Sequence, residues 1–467
     1  MLKRIALGAA LIGAAIALRR RPPGTAGGVH RSQTEASYLT ARTRILVLGA
    51  NFGGLTTALE IDRRLGNSRD VSILVVDRDN VQLFTPLLWL VANGRVNLTD
   101  VLVPIRTFQR GRSFHLLHAD VESIDLDKRE VMTTSGSRPY DILVIALGSI
   151  TVMPDLPGLR EYARLFHTTG HALQLRNHLI DAVEDAHQSE NPAARRAYLT
   201  FVVAGGGDTG IELAATINDY IVNGLFAEYP WLADEKVRIV IAGRAERLLP
   251  MSSPHTSENV RRVLESEGIE VLTGVSVTGV TAATVQTSAK EIPSHTLFWA
   301  AGITAPDQVR DLPVDHARNG AVNVDDHLRV PGHPEVYVVG DAAWAYDSAS
   351  GAPIPPTAQA AEHEGAYVAA AIAAELRGQH APAFRFTPLG HLALLGNHTG
   401  VAEIGPFVFK GLPAWLMWHA YYLWHIPSWE NRLYLGLHLL LSAMLGRDTR
   451  QVRLDGGERA GEASAGG

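Results

Sequence analysis

The sequence contains no cysteine among its 467 residues. This absence excludes disulfide frameworks, thiolate metal sites, iron–sulfur clusters and every mechanism that needs a redox-active or nucleophilic thiol. Charged residues are also scarce, at 19% compared with roughly 25% in an average soluble domain. We therefore expect part of the surface to face something other than water.

The sequence also lacks an excess of positive charge. Its 42 Lys and Arg residues are outnumbered by 48 Asp and Glu residues, giving a formal net charge of −6. A chain that binds nucleic acid should concentrate basic residues on one surface, so we expect no nucleic-acid partner. Three histidines near the end of the chain, His419, His425 and His438, fall at irregular spacing. We interpret them as packing or interfacial residues, and we predict no metal site.

No apolar run is long enough for an ordinary membrane span. The longest near the start, residues 5–18, is flanked by Lys3 and Arg4 and by three arginines at 19–21. As a helix it would extend about 21 Å, short of a hydrocarbon core of about 30 Å. A short anchor or surface helix and a dispensable leader both remain open. Residues 22–40 are expected to form a flexible linker.

From Arg44 onward the sequence alternates buried-strand runs with helical periodicity. A strand, a turn, a helix and a second strand cover residues 44–77, and the same order returns over residues 200–244. Continuous Val- and Ile-rich strands alternating with helices are typical of a parallel sheet covered on both faces. We predict an α/β fold that contains two Rossmann-like dinucleotide-binding domains.

The first β–α turn, residues 49–54, has the glycine pattern of a phosphate-binding loop. Gly49 permits a tight turn, and the following helix would aim amide donors at a pyrophosphate. Asn51 replaces the middle glycine; asparagine is the next most tolerant residue for positive φ, although its side chain would crowd the phosphate. Asp77 ends the second strand, where an acid binds an adenosine ribose. A plain strand–helix turn is the alternative.

The second loop, residues 205–210, keeps all three glycines of the pattern. Glu212 follows in the helix, either near the reactive end of a nicotinamide or simply compensating the helix dipole. After the paired strand, Ile241 occupies the position expected for the acidic ribose ligand, and Arg244 follows. An arginine there favours the 2′-phosphate of NADPH, or it is a solvated loop residue. Two loops imply two dinucleotides, one delivering a hydride to the other.

A third segment completes the pattern. The apolar strand at 335–339 ends in Gly340 and Asp341, where a carboxylate would hold a ribityl hydroxyl. The helix expected after Thr357 would point its N-terminus at a flavin ring. Together with the two loops, this segment resembles the last FAD-binding segment of the two-dinucleotide flavoprotein reductases.

Within that superfamily the chain resembles the type II NADH:quinone oxidoreductases over roughly residues 43–450. The stretches that carry the resemblance are 75–94, with its Phe-Thr-Pro-Leu-Leu core, 202–214, 298–303, 328–343, 354–365 and 390–411. The resemblance implies a non-covalent FAD, hydride transfer from NADH or NADPH, and two-electron reduction of a membrane quinone without proton pumping.

The candidate site residues follow from these motifs. Candidate cofactor-binding residues are Gly49, Asn51, Phe52, Gly53, Gly54, Asp77, Arg78, Pro86, Val121, Ala146, Gly148, Gly205, Gly207, Thr209, Gly210, Glu212, Arg244, Gly302, Gly340, Asp341, Ala342, Ala358 and Gln359. Candidate catalytic residues are Glu212, Gln359, His363 and His398.

Two candidates depart from the family pattern near the implied quinone site. His363 stands where the resemblance predicts a second glutamine, and His398 where it predicts a lysine. An imidazole with a pKa of about 6.5 suits proton donation to a reduced quinone; a structural role is the alternative for each. We hypothesise that His363 lines the acceptor pocket.

The C-terminal region is rich in aromatic residues. Half of the eight tryptophans lie between residues 415 and 429, and Pro427 divides this region into two short apolar segments. Such aromatic density suits a lipid headgroup layer, so we predict two interfacial helices rather than two membrane crossings. A helix pair buried in a dimer or core interface is the alternative.

These inferences give a division of the chain and a location. The predicted units are an apolar segment and linker at 1–40, an FAD domain at 41–150 and 306–385, an NAD(P)H domain at 151–305, a C-terminal membrane-interface or dimerisation region at 386–446 and a disordered tail at 447–467. The expected location is the cytoplasmic face of the cell membrane, peripheral or held by a short anchor, and a homodimer is a candidate assembly. A reductase of a soluble protein acceptor and a slow redox sensor remain alternative functions.

Overall fold

A computed structural model describes residues 35–66, 68, 70–405 and 407–452. The apolar run predicted at 5–18 lies outside these described residues.

The described helices range from single turns to five turns. They are α1 (Glu35–Leu39), α2 (Phe52–Leu65), α3 (Leu88–Ala92), α4 (Ile105–Gln109), α5 (Leu159–Tyr162), α6 (Thr169–Gln188), α7 (Pro192–Tyr198), α8 (Asp208–Tyr220), α9 (Phe226–Glu228), α10 (Pro254–Ser266), α11 (Asp307–Arg310), α12 (Ala358–Glu375), α13 (Leu412–His425) and α14 (Trp429–Leu445). Short 3₁₀ turns cover Thr85–Leu87, Leu98–Val101, Pro230–Asp234 and Gly340–Ala342, and a π-helical turn covers Ile221–Leu225.

The strands are short except in the two central sheets. They are β1 (Thr43–Leu48), β2 (Val71–Asp77), β3 (Val81–Leu83), β4 (Leu102–Pro104), β5 (Phe114–His118), β6 (Val121–Asp125), β7 (Glu130–Thr133), β8 (Gly136–Pro139), β9 (Ile142–Ile145), β10 (Ile150–Thr151), β11 (Ala163–Leu165), β12 (Thr200–Ala204), β13 (Arg238–Gly243), β14 (Ile269–Thr273), β15 (Val277–Val280), β16 (Thr284–Thr287), β17 (Glu291–Pro293), β18 (Thr296–Trp299), β19 (Ile303–Thr304), β20 (Val322–Asn323), β21 (Arg329–Val330), β22 (His333–Val338), β23 (Ala343–Trp344), β24 (His391–Gly396), β25 (Thr399–Ile404) and β26 (Phe407–Lys410).

The first central sheet has the order β21-β22-β9-β1-β2-β5. All neighbours from β22 to β5 pair in parallel, and only the edge strand β21 is antiparallel. Its central strands are buried on both faces, as continuous apolar runs require. The predicted α/β class is confirmed.

The second central sheet has the order β11-β18-β12-β13-β14 and is parallel throughout. Its strands all lie between residues 163 and 299. Strands of the first sheet therefore precede and follow it along the chain. Each sheet repeats the strand–loop–helix–strand unit, with α2 joining β1 to β2 and α8 following β12.

The C-terminal region combines a three-stranded antiparallel sheet, β24-β25-β26, with helices α13 and α14. The two helices end and begin on either side of Pro427, where the sequence predicted the break. Each has only two buried side chains, Ala414 and Trp418 in α13 and Asn431 and Leu435 in α14. No helix in the described part of the chain is both long and apolar enough to cross a bilayer.

The structure corrects the predicted linker at 22–40 over its last residues. Helix α1 buries Tyr38 completely, and the Tyr38 hydroxyl donates a hydrogen bond to the Pro139 carbonyl at 2.7 Å. Glu35 forms an ion pair with Arg138. One buried aromatic side chain and one ion pair therefore tie this segment to β8, although its composition resembles that of a flexible linker.

The structure also corrects the predicted disordered tail at 447–467, because residues 447–452 are bonded to α6, α8 and the segment after α3. The Asp448 amide donates to the Gly94 carbonyl at 2.9 Å. The Arg447 guanidinium donates to the Asp219 carboxylate at 2.5 Å, and both side chains are almost completely buried. Charges that looked solvated in the sequence are paired in the interior. Residues 453–467 lie outside the described part of the chain.

The Asp219 carboxylate joins three parts of the chain. Besides Arg447, it faces the Arg95 guanidinium at 3.8 Å and accepts a hydrogen bond from the Asn93 amide at 3.1 Å. Asn93 and Arg95 follow α3, Asp219 lies in α8, and Arg447 follows α14. A buried carboxylate needs such partners, since an unpaired charge in the interior is costly.

We expect Arg447→Ala to destabilise the folded chain by about 3 kcal/mol, because it removes one partner of a buried ion pair. The melting temperature should fall by several degrees, measured by differential scanning calorimetry. Arg450→Ala is the matched control, since Arg450 pairs with Asp448 while 83% exposed and should cost about 1 kcal/mol or less. Equal losses in the two variants would contradict the role given to the buried pair.

Candidate functional site

The residues predicted to bind a flavin meet at one edge of the first sheet. Parallel strands have their carboxyl ends at the same edge, where open α/β sheets bind ligands. These ends carry Gly49 after β1, Asp77 in β2, Ala146 and Gly148 after β9, and Gly340 and Asp341 after β22.

The loop after β1 is closed by two contacts that only glycine permits. Gly49 has φ +93°, and a Cβ there would lie 2.3 Å from the Ala146 carbonyl oxygen. A Cβ on Gly54 would lie 1.9 Å from the Gly49 carbonyl oxygen. Helix α2 therefore begins directly against the loop, and its N-terminal amides face the sheet edge, which is the geometry that binds a pyrophosphate.

Asn51 does not adopt a positive φ, although asparagine tolerates one. Its φ of −90° and ψ of −152° are extended, and it is the N-cap of α2. Gly207, the N-cap of α8, has nearly the same backbone, with φ −85° and ψ −177°. A side chain is thus tolerated without strain. The exposed Asn51 side chain makes no hydrogen bond to the helix end, so the N-terminal amides stay available.

Asp77 stands at the sheet edge beside the loop. Its carboxylate accepts hydrogen bonds from the amides of Ala50, at 2.6 Å, and Asp79, at 2.8 Å. Burial raises the pKa of Asp77, and these two bonds oppose the rise. The position matches that of the acid that holds an adenosine ribose. Arg78 is largely exposed and pairs loosely with Asp79 at 3.8 Å.

Gly340 and Asp341 lie in a 3₁₀ turn after β22. The Gly340 amide donates to the Glu364 carboxylate at 2.5 Å, and Asp341 accepts a hydrogen bond from the Ser149 hydroxyl at 2.7 Å. Burial raises the pKa of Asp341, and it raises that of Glu364 to about 8. Glu364 was not among the predicted residues, because its role depends on how α12 packs behind the turn.

The other predicted flavin residues surround this edge. Phe52 and Gly53 open α2, Pro86 lies in the 3₁₀ turn after Phe84, Val121 begins β6, Ala342 is buried after Asp341, and Ala358 begins α12. The Thr357 hydroxyl caps α12 by accepting from the Ala360 amide at 3.2 Å. A cradle without room for a Cβ, an open helix N-terminus and buried carboxylates at strand ends fit FAD.

The second loop repeats the first in detail. A Cβ on Gly205, which has φ +127°, would lie 2.4 Å from the Ala300 carbonyl oxygen. A Cβ on Gly210 would lie 2.0 Å from the Gly205 carbonyl oxygen. Thr209 is in the first turn of α8, and Gly302, with φ +115°, follows β18 at the same edge. The geometry supports a second dinucleotide here.

The strand register corrects the position of the missing ribose acid. The Gly205 amide donates to the Ala242 carbonyl, just as the Gly49 amide donates to the Val76 carbonyl. Gly243 is therefore the counterpart of Asp77, and Ile241 is a fully buried core residue. The prediction that placed Ile241 at this position was wrong by two residues, because β13 continues to Gly243. Arg244 follows as Arg78 follows Asp77; it is exposed, with no ion pair in the described part of the chain.

Glu212 lies in the second turn of α8, facing the C-terminal sheet. Its carboxylate accepts a hydrogen bond from the Leu394 amide at 3.2 Å. Burial, reinforced by the charge of Asp208, raises the pKa of Glu212 to about 8. Asp208 lies 2.5 Å from the His391 ring. Glu212 is thus a neutral acid at pH 7, more than a counter-charge for the helix dipole.

The predicted acceptor residues fall in two places. The Gln359 side-chain carbonyl accepts from the Leu389 amide at 3.3 Å, and the His363 ring meets Phe386 edge-on at 5.6 Å. His398 lies in the β24–β25 turn with φ +57°, and its ring is 5.1 Å from Trp415. No contact among the described residues joins His398 to Gln359 or His363.

Tyr422 of α13 was missed from the sequence, where it was one of several aromatics predicted to be interfacial. Its ring packs edge-on against Phe84 at 6.1 Å and Trp418 at 4.7 Å. Burial raises the pKa of its hydroxyl, with further contributions from the charges of Glu212 and Glu362. No signal in the sequence separates it from its neighbours.

Among the described residues, no cluster of three metal-ligating side chains occurs.

Two family models together match most of the chain. Residues 43–365 match the model described as "Pyridine nucleotide-disulphide oxidoreductase", and residues 389–448 match the model described as "NDH2 C-terminal domain". The disulfide chemistry in the first description has no counterpart here, since the chain has no cysteine.

Individual relatives cover nearly the whole chain. The type II NADH:quinone oxidoreductase Ndh of Mycobacterium tuberculosis is 31% identical over 84% of this chain and 86% of its own length. The demethylphylloquinone reductase NdbB of Synechocystis is 31% identical over 86% and 96%. The solved structure of NDH2 from Plasmodium falciparum in complex with NADH has a TM-score of 0.78 at 21% identity, covering 88% of this chain and 100% of that one. This last likeness concerns the fold.

Proposed function

The chain belongs to the type II NADH:quinone oxidoreductase family, and on that premise we propose that it oxidises a reduced nicotinamide nucleotide and passes two electrons through FAD to a quinone. The observation that carries the proposal is the duplicated loop. Gly54 and Gly210 each leave no room for a Cβ against the first glycine of their own loop. Two dinucleotide sites on one chain without thiols leave the two bound cofactors as the redox groups.

The protein's own groups bind and orient the two nucleotides. Helices α2 and α8 offer open N-terminal amides to the two pyrophosphates. Asp77 and Asp341 are placed to hold ribose and ribityl hydroxyls, because each stands at a strand end with a carboxylate at the sheet edge. When bound, FAD supplies the chemistry that accepts a hydride and releases electrons to a quinone. The chain contributes mainly positioning and electrostatics.

We expect the flavin absorbance of the purified holoenzyme to bleach rapidly on anaerobic mixing with NADH or NADPH and to recover rapidly on mixing with a menaquinone or ubiquinone analogue. Stopped-flow absorbance measures the two half-reactions separately. Rapid bleaching without recovery by either quinone would contradict the proposed acceptor. Absence of bleaching would contradict the nicotinamide site.

We further propose that the nicotinamide site accepts NADPH at least as well as NADH. An acid at the end of the second strand binds the 2′-hydroxyl of NADH and repels a 2′-phosphate. Here Gly243 occupies the position of that acid. The adjacent Arg244 is exposed and has no ion pair in the described part of the chain. A Cβ at Gly243 would meet Gly206 atoms at 3.5 Å, ordinary contact, so a side chain could be accommodated.

We expect Gly243→Glu to shift the ratio of kcat/KM for NADH over NADPH by about tenfold or more towards NADH, through repulsion of the 2′-phosphate and a new ribose hydrogen bond. Steady-state kinetics with both nucleotides measures the ratio. Arg244→Ala should raise KM for NADPH and leave KM for NADH nearly unchanged. An unchanged ratio in Gly243→Glu would contradict a contact between this strand end and the 2′ position of the ribose.

We propose that the enzyme lies on the cytoplasmic face of the membrane, where the nucleotide is available, and docks through an apolar C-terminal face. This face comprises exposed side chains of α13 and α14, among them Leu416, Trp424, Leu433, Leu437, Leu440, Met444 and Leu445. Residues 433–446 contain no Asp, Glu, Lys or Arg. Short helices with apolar, tryptophan-rich faces are typical of interfacial binding.

We expect the double substitution Leu440→Glu and Met444→Glu to reduce co-flotation of the enzyme with phosphatidylglycerol–phosphatidylethanolamine vesicles by more than about tenfold, since each side chain gains roughly 1.5–3 kcal/mol on burial. These side chains are 55% and 62% exposed. Met251→Glu is the matched control, because Met251 is 64% exposed but distant in sequence from the C-terminal face. Equal flotation of all variants would argue against this face.

A further inference from the structure

Helix α12 carries a third polar side chain beside Gln359 and His363. Glu362 is three residues beyond Gln359, so the two side chains share one face of the helix. Its carboxyl forms no hydrogen bond or ion pair with any residue in the described part of the chain. A partly buried carboxyl without a partner is costly to ionise.

The surroundings of Glu362 keep it neutral. Burial alone raises its pKa to about 7. The titratable groups that face it are Tyr421 and Tyr422 of α13, and the charge of Glu362 contributes to the raised pKa of both hydroxyls. His425 stacks on Tyr421 at 3.9 Å and is the next group along that helix. No cation acts on Glu362 among the described residues.

The two helices that meet at Glu362 belong to the two regions that an apolar quinone must join. The flavin cradle lies at the N-terminal end of α12. There the Gln359 side chain accepts a hydrogen bond from the amide of Leu389, whose side chain is 58% exposed. Helix α13, which supplies Tyr421, also supplies Trp424 to the apolar C-terminal face. Glu212, the other neutral acid near Tyr422, lies in α8 and its carboxylate already accepts a hydrogen bond from the Leu394 amide of β24.

The proton stoichiometry of quinone reduction requires a proton donor on the acceptor side. A reduced nicotinamide gives up a hydride, which contains two electrons and one proton, whereas a quinone takes two electrons and two protons to become a quinol. One further proton per turnover must therefore come from the protein or the solvent. General acids with a pKa near the working pH are the most effective donors.

We propose that Glu362 is the general acid that protonates one quinone carbonyl oxygen as the quinone is reduced. The O–H bond of the carboxyl breaks, the O–H bond of the quinol forms, and the resulting carboxylate regains a proton from water at its partly exposed side. This inference rests on the proposed function, because it requires a quinone as the acceptor.

The test compares quinone-driven recovery of flavin absorbance in the wild type, Glu362→Gln, Glu362→Asp and the control Glu122→Gln, an exposed carboxyl remote in sequence from this site. We expect the wild-type recovery rate to fall about tenfold per pH unit above about pH 7, as the carboxyl ionises. In Glu362→Gln the rate at pH 6 should be about a hundredfold lower and should lose this pH dependence. Glu362→Asp should restore part of both.

Two further readouts separate the outcomes. Bleaching by the nicotinamide nucleotide should be unchanged in Glu362→Gln, and infrared difference spectra should lose one protonated carboxyl band that titrates near pH 7 in the wild type. Wild-type recovery rates and pH dependence in Glu362→Gln would overturn the assignment of Glu362 alone. Failure of every quinone to reoxidise the wild-type flavin would overturn the proposed function, and this assignment with it.

Discussion

Each phosphate loop depends on one contact, in which the third glycine of the loop lies against the carbonyl of the first. At Gly54 and Gly210 a methyl group would come within 2.0 Å of that oxygen. The contact fixes the start of each helix directly above the end of its strand. The open amides, the neighbouring strand ends and the carboxylates beside them take their positions from it. The middle of the loop is less constrained, which is why Asn51 can replace glycine there.

A second set of contacts joins the two nucleotide sites to the C-terminal region. Asp219, Arg95 and Arg447 tie α8, the segment after α3 and the end of the chain together in the interior. The apolar helix α14 is anchored by Asn431, whose two side-chain N–H groups are shared among the carbonyls of residues 99, 100 and 102, at 3.0–3.2 Å from the amide nitrogen. A polar anchor of this kind holds the helix in one orientation while most of its apolar side chains remain exposed.

The sequence was sufficient for the central strands of the two sheets, both loops and the break at Pro427, because Val- and Ile-rich runs, paired glycines and a proline act locally. It was not sufficient where the outcome depends on partners distant in the chain. The segments containing Tyr38 and Arg447 were predicted as a flexible linker and a disordered tail, and only the contacts with Pro139 and Asp219 show that they are ordered. The sequence predicted the ribose-binding position at Ile241, whereas the structure has it at Gly243, because only the pairing with β12 shows where β13 ends. The protonation state of Glu362 follows from burial, which no local pattern records.

The buried carboxyls of Glu212, Glu362 and Glu364 alter the electrical character of the whole molecule. The formal charge of −6 treats every carboxyl as ionised, whereas burial raises the pKa of these three to about 8, 7 and 8. Near pH 7 the folded protein therefore carries about two fewer negative charges than its composition implies. The electrostatic repulsion between the protein and an anionic bilayer is therefore weaker than a net charge of −6 would produce. As the pH rises these groups ionise, so the repulsion between the protein and anionic lipids increases.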